Sequence, residues 1–319
     1  MKSEQSKLIS VIIPVKDEQD GLVWLHETLI KSLKSLKPHS FEVIYVNDGS
    51  VDKSQEVLQS LKPQEKISVQ IIEFSRNFGK EAALSAGLAI CKGDGAIFVD
   101  ADGQYPVELI GKFIEKWQRG ADVVIGVRDK NQKEGFVKRY GSKAYYSITR
   151  QISEREVVPK STDFRLVDRK VIDEFNKFKE NDRIARGLID WLGYRRDYVY
   201  FDANERKFGK ASYNFKKLTK TAINSFVSLS AVPLYISGYV GLLFIFLGTG
   251  AGLFWLIEQV ILGDPMRLHI TGTAVLGFVI LFLVGMVLAA QGLIGVYIAR
   301  VLNESQGRPL YVVRQITKN

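Results

Sequence analysis

No aspartate, glutamate, lysine or arginine occurs between Lys220 and Glu258, and none between Arg267 and Arg300. The first gap contains "AVPLYISGYVGLLFIFLGTGAGLFWLI", the second "ITGTAVLGFVILFLVGMVLAAQGLIGVYIA". Each exceeds the roughly 20 apolar residues that cross a bilayer as a helix. Helices of a soluble core seldom run so far without charge, so the pattern predicts two membrane spans. Pro233 and the stretch Gly248 to Gly252 do not oppose this, because spanning helices tolerate both residue types. A short loop between two spans puts both chain ends on one side. That loop holds Arg267 beside Glu258 and Asp264. Lys216, Lys217 and Lys220 precede the first span, and Arg300, Arg308, Arg314 and Lys318 follow the second. The positive-inside rule therefore puts both ends in the cytoplasm. The early run "LISVIIPV" is too short for a signal peptide and is followed at once by Lys16 and Asp17. A single cysteine, Cys91, excludes an internal disulfide and fits a reducing compartment.

The residues before the spans alternate between short apolar runs and helical periods. "LISVIIP", "FEVIYV", "SVQIIEF", "GAIFV" and "ADVVIGV" read as strands. Helices are expected over 19–36, from Asp52, from Lys80 and from Pro106. The strands show little polar alternation, as expected when both faces of a sheet are covered. The expectation is an α/β domain with a mostly parallel sheet and helices on both faces. Ligands of such sheets bind beyond the carboxyl ends of the strands. Those ends are Pro14-Val15-Lys16-Asp17-Glu18, Asn47-Asp48-Gly49-Ser50, Ser75-Arg76-Asn77, Asp100-Ala101-Asp102 and Gly126-Val127-Arg128. Asp52 reads as turn and cap chemistry, and Asp17 and Glu18 read equally well as a solvated helix start.

Further along, "STDFRLVDRKVIDEF" reads as a turn carrying Asp163 and Arg165, then a helix. "RIARGLIDWLGY" reads as a helix ended by Gly193, and "RRDYVYFDANERKFGK" as a strand leading to a basic loop. Phe215, Leu218, Ala222, Phe226 and Leu229 then recur at helical spacing with Lys216, Lys217 and Lys220 between them. That pattern is an amphipathic helix lying on the bilayer surface.

The net charge of +9 could indicate nucleic acid, but no aromatic-interleaved basic cluster is present. Much of the excess lies beside the spans, where anionic headgroups are the simpler partner. No GxGxxG occurs, and "RNFGK" lacks the spacing of a phosphate-binding loop. Asp100 and Asp102 flank one alanine at the end of an apolar strand. Two like charges so close destabilise each other unless a cation or another partner takes them up. Mg²⁺ or Mn²⁺ prefers carboxylates plus substrate phosphate oxygens, and such an ion neutralises a departing diphosphate.

Six segments in order, "SVIIPVKDEQD", "EVIYVNDGSVDKS", "FSRNFGKEAALSAGL", "FVDADGQYPVELI", "DFRLVDR" and "ERKFGKASY", resemble family 2 glycosyltransferases of the GT-A fold. The resemblance is to polyprenyl-phosphate glycosyltransferases related to dolichyl-phosphate mannose synthase, and the end "GRPLY" resembles the bacterial branch with a C-terminal hairpin. It implies that Pro14, Glu18 and Asp48 meet the base and ribose of a nucleotide-sugar. It implies that Asp100 and Asp102 hold the metal and diphosphate, with Ala101 between them, Gln104 beside them and Arg128 facing the phosphates. Arg206, with Lys207 or Lys210, would meet the acceptor phosphate, and Asp163 would act as a base or orient Arg165 or Arg206. Many relatives carry leucine where Gly103 stands, which should matter little. Many also carry a Ser-Lys pair where Ala211-Ser212 stands, so the acceptor lysine could have moved to Lys210.

The expected organisation is a catalytic domain over 1–210, a juxtamembrane helix over 211–230, a two-span hairpin over 231–299 and a cytoplasmic tail over 300–319. The expected reaction moves a hexose, with glucose from UDP-glucose as the best guess, onto undecaprenyl or another polyprenyl phosphate with inversion. The expected setting is the inner membrane, multi-pass, with the catalytic domain on the cytoplasmic face. Gly238, Gly241, Gly248 and Gly252, then Gly285 and Gly292, permit close helix packing and so a homo-oligomer. Alternatives are the same lipid with mannose, GlcNAc or an amino-arabinose, or a non-catalytic scaffold that keeps the nucleotide pocket. A processive polysaccharide synthase fits worse, since its Gln-x-x-Arg-Trp motif and further spans are missing.

Overall fold

The computed structural model describes residues 6–129, 160–180, 183–204 and 272–318, with scattered positions between 239 and 257. Two compact units emerge, one of Met1–Ser212 with Arg308–Asn319 and one of Tyr213–Gly307. The first is built on one eight-stranded sheet of order β7-β5-β6-β4-β1-β2-β3-β8. Its strands are β1 Leu8–Val15, β2 Ser40–Asn47, β3 Ile67–Phe74, β4 Gly95–Phe98, β5 Val123–Arg128, β6 Ser161–Asp168, β7 Arg196–Phe201 and β8 Val313–Lys318. β6 and β8 run antiparallel to their neighbours and every other pairing is parallel. The expected mostly parallel α/β sheet is therefore present.

The helices follow from apolar spacing. In α1, Leu22–Lys34, the buried residues Leu22, Leu25, His26, Leu29, Ile30 and Leu33 fall on one stripe, the i, i+3, i+4 repeat of an amphipathic helix. α4, Ile110–Gln118, buries Ile110, Phe113, Ile114 and Trp117 by the same rule. Each such side chain, fully buried, contributes about 1.5–3 kcal/mol. α3, Lys80–Ile90, is buried around Ala82 to Leu88 on the opposite face, against Ile12, Ile44 and Val46. The remaining short helices of this unit are α2 Ser54–Ser60, α5 Arg169–Phe175 and α6 Ala185–Trp191. Gly193, with φ of 73°, follows α6 as expected.

Three segments differ from the sequence reading, two of them in the sheet. "STDFRLVD" is the strand β6, with Phe164, Leu166 and Val167 buried, and not a turn. The misleading residue was Arg165, fully buried in the strand, where its guanidinium donates to Asp190 Oδ1 at 2.9 Å and to the Thr162 carbonyl at 3.0 Å. The helix expected from Asp52 starts at Ser54, with Asp52 Oδ1 accepting from the Ser54 amide at 3.0 Å, which is turn chemistry as read. Residues 300–319, read as a tail, hold the end of α7 and the strand β8, which covers the edge of β3. Tyr311 stacks on Phe74 at 5.0 Å and Arg314 pairs with Glu73 at 2.8 Å.

In the second unit, α7 spans Gly272–Ser305. Its stretch Phe282–Ser305 is long and apolar enough to cross a membrane, with mean hydropathy 2.1. The juxtamembrane helix over 211–230 lies outside the described residues. So does most of the first expected span.

One buried imidazole ties the sheet to α1. His26 Nε2 donates to the Lys62 carbonyl at 3.2 Å, which leaves Nδ1 to accept from the Tyr45 hydroxyl at 3.0 Å. Burial pushes its pKa below the ordinary 6.5, against the opposing pull of Lys62 and Glu27. The unfolded chain therefore takes up this proton first, so stability is present above about pH 6.5 and is lost as pH falls below it. Chemical denaturation at pH 7.5 and 5.5 should show a loss that shrinks in His26→Gln. An identical loss in the variant would assign the pH effect to other groups.

Candidate active site

The parallel strands end on one rim, and the loops there are stitched together by side chains from the sequence motifs. The Asp17 amide donates to Ser50 Oγ at 3.0 Å and the Val51 amide to Asp17 Oδ1 at 2.8 Å. The Glu18 amide donates to Ser54 Oγ at 2.9 Å, and Lys16 Nζ reaches the Gly49 carbonyl at 2.7 Å. Asp17 thus belongs to a loop-to-loop clamp. Pro14 stands opposite Val46 in the β1–β2 register.

Asp48 is buried, and both its carboxylate oxygens receive main-chain donors. The Phe78 amide donates to Oδ1 at 2.6 Å and the Gly79 amide to Oδ2 at 2.9 Å. Burial raises its pKa, partly offset by those two amides. Asp48 therefore anchors the β3–α3 loop to the end of β2, and it fixes the turn at Gly79, whose φ is 100°, just before Lys80.

The antiparallel direction of β6 brings the distant acid to this rim. Its register against β4 pairs Gly95 with Asp168, Ala96 with Val167 and Ile97 with Leu166. Continued three residues further, that register sets Asp163 across from Asp100. Between them lies Lys80, which the sequence reading passed over. Its Nζ is 2.6 Å from Asp100 Oδ1 and 2.9 Å from Asp163 Oδ2. Burial works against the charge on Lys80, but Asp100 and Asp163 outweigh it and hold the ammonium well above its ordinary pKa. Burial likewise opposes ionisation of Asp163, and Lys80 and Arg186 overcome it, so that acid is lowered. Asp100 is raised by burial more than Lys80 pulls it down, with Asp163 and Asp102 adding to the rise. Behind the cluster, Tyr105 stacks on Phe164 at 5.1 Å.

The second acid of the pair leads to the phosphate side. Asp102 Oδ1 accepts from the Gln104 amide at 3.1 Å, and Gln104 Oε1 accepts from Arg128 Nη2 at 3.1 Å. Arg128 Nε is buried without a hydrogen-bond partner among the described residues. Ala101 is buried between the two acids. Gly103 has φ of 72°, and a Cβ there would lie 2.7 Å from Trp24 Cζ3. Leucine at this position is thus incompatible with Trp24 as it stands, so the departure expected to be minor is matched by a specific neighbour.

These residues suit a divalent cation that also binds phosphate. Asp100 and Asp102 offer hard oxygens, and Arg128 brings a guanidinium to the same rim through Gln104. Among the described residues no group of three or more His, Cys, Asp or Glu converges on a metal site, so substrate oxygens or water would complete the shell. Arg206, Lys207 and Lys210, expected at the acceptor phosphate, lie outside the described residues.

Residues 10–175 match the Glycosyl transferase family 2. The chain belongs to that family. It is a glycosyltransferase, and its relatives align over nearly its whole length. An uncharacterised glycosyltransferase of Synechocystis is 37% identical over 97% of this chain and 95% of its own. The bactoprenol glucosyl transferase of Shigella phage SfX is 33% identical over 96% of this chain and 98% of its own. Among solved structures, glucosyl-3-phosphoglycerate synthase from Mycobacterium tuberculosis with phosphoglyceric acid aligns at TM-score 0.49 and 16% identity. That alignment covers 70% of this chain and 79% of the other.

Proposed function

We propose that this glycosyltransferase moves glucose from UDP-glucose to undecaprenyl phosphate, inverting the anomeric carbon and yielding a lipid-linked sugar. The observation that carries the reading is the end-to-end likeness to a bactoprenol glucosyl transferase. Pro14, Glu18 and Asp48 line the base and ribose side of the donor, and Arg128, held by Gln104 beside the two acids, meets its phosphates. Asp100 and Asp102 hold Mg²⁺ or Mn²⁺, which when bound supplies Lewis-acid neutralisation of the diphosphate.

An acceptor phosphate oxygen attacks the anomeric carbon from the face opposite the diphosphate; the new C–O bond forms as the bond to UDP breaks. A phosphate monoester with a second pKa near ~6 is largely dianionic at neutral pH, so the attack needs no strong general base. Asp163, kept ionised beside Lys80, accordingly orients the cationic groups of the site. Arg206, with Lys207 or Lys210, receives the lipid phosphate at headgroup level, since these residues directly precede the segment whose sequence pattern is that of an interfacial helix. The spans form a two-helix hairpin of the inner membrane, with the catalytic domain in the cytoplasm, and their small-residue spacings support a homo-oligomer.

The test uses the full-length protein in detergent with undecaprenyl phosphate and Mn²⁺. Labelled UDP-glucose, UDP-GlcNAc, UDP-galactose and GDP-mannose are supplied separately. Label should enter the organic phase from UDP-glucose. Transfer from another donor would correct the sugar, and transfer from none, with UDP binding intact, would overturn the reading.

A further inference from the structure

We propose that Lys80 is an internal cation of the donor site, one that ties Asp100 to Asp163 when the site is empty and competes with the divalent ion for Asp100. This rests on the metal-assisted reading above and adds to it a residue that sets how tightly the ion is held.

The geometry gives the argument. The Lys80 ammonium touches one of the two acids of the metal pair at 2.6 Å and the acid on the adjacent strand at 2.9 Å. Without a cation between them, two carboxylates on neighbouring strands would repel. Lys80 supplies that charge from within the chain. Its backbone is pinned, because Asp48 holds the Phe78 and Gly79 amides immediately before it. Its side chain is not, since a lysine is a point charge on a stem with free torsions and lacks the planar fork that locks an arginine. The Lys80 and Asp100 side chains are 38% and 25% exposed, so the pair can part without stranding a dry charge. Asp163 stays in reach when Asp100 is given up, so the ammonium keeps one partner throughout.

Competition is mutual: the Lys80 contact weakens the hold of the ion on Asp100, and the bound ion weakens the Lys80 contact by the same factor. Mn²⁺ binding to the full-length protein in detergent, without donor or acceptor, reads this directly through the electron paramagnetic resonance signal of free Mn²⁺. Lys80→Met should bind Mn²⁺ about fivefold more tightly than the unaltered chain, the size of a partly exposed ion pair. Lys80→Arg, whose fork grips a carboxylate harder, should bind Mn²⁺ no more tightly than the unaltered chain. Asp102→Ala should bind weakly with either residue at position 80.

Unchanged or weaker binding in Lys80→Met, with Asp102→Ala still defective, would overturn the competition and leave the metal site standing. Binding that ignores Asp102→Ala would instead overturn the metal assignment and this inference with it. A second measurement needs no variant. Acetylation of Lys80 in the unaltered protein, followed by mass spectrometry, should run about threefold faster with Mn²⁺ present, because the ammonium then loses a partner. An unchanged or slower rate would overturn the proposal even if Lys80→Met does not fold.

Discussion

Asp102→Ala is expected to lower glycosyl transfer by about 10²–10³-fold, the usual cost of removing one preorganised charge from a reacting group. The fold should survive. In the structure Asp102 makes a local contact, its Oδ1 accepting the Gln104 amide two residues on, and losing one such bond costs about 1 kcal/mol. Asp48, which holds a whole loop, would be a less specific choice. Asp100 makes a poorer test than Asp102. Removing it would also strip Lys80 of a partner at 2.6 Å and leave Asp163 to reorganise. The measurement is the initial rate at saturating donor beside the melting temperature of the same preparation. A rate within about threefold of the unaltered enzyme, with melting unchanged, would remove Asp102 from the chemistry.

The parts of this architecture that show in the sequence are those decided locally. The runs of β1 to β5 are apolar on both faces because helices cover both, and no distant partner is needed to recognise them. The α1 stripe, the turn role of Asp52 and the glycine after α6 are likewise short-range choices of spacing and backbone angle. What escapes is decided by distant pairing. β6 carries Asp163 and Arg165, which look like turn residues until Asp190 supplies the counter-charge that lets Arg165 be buried. β8 is a short polar-leaning strand whose only reason to form is the open edge of β3, reached after the whole apolar segment. Lys80 escaped for a related reason. Attention to the residues directly after each strand finds Ser75, Arg76 and Asn77, whereas the charge that matters comes at the start of α3 and meets acids from β4 and β6. The paired acids at Asp100 and Asp102 were legible because like charges at that spacing demand an explanation by themselves.

The same contrast between local and distant constraint predicts that Gly49→Ala will be the more damaging of two glycine changes on this rim. Gly49 has φ of 61°, and a Cβ there would lie 2.4 Å from the Arg76 carbonyl carbon and 2.6 Å from the Asn77 nitrogen. Both obstacles are main chain, so the β3–α3 loop itself would have to move away from β2. The left-handed conformation costs a non-glycine residue about 1–2 kcal/mol and forced overpacking about 1–3 kcal/mol more, roughly 2–5 kcal/mol together. At Gly103 the positive φ is similar, but the obstacle is the ring of Trp24, a side chain that can rotate away. Gly49→Asn separates the two contributions, since asparagine tolerates positive φ yet keeps the collision. Melting temperature should fall in the order Gly103→Ala, Gly49→Asn, Gly49→Ala, with the last lower by about 5–15 °C. Because the displaced loop carries the amides that Asp48 grips, UDP titration should also show affinity reduced at least about tenfold in both Gly49 variants. Equal losses at positions 49 and 103 would mean that backbone angle alone sets the cost, and that the approach of the two loops is not what shapes the donor site.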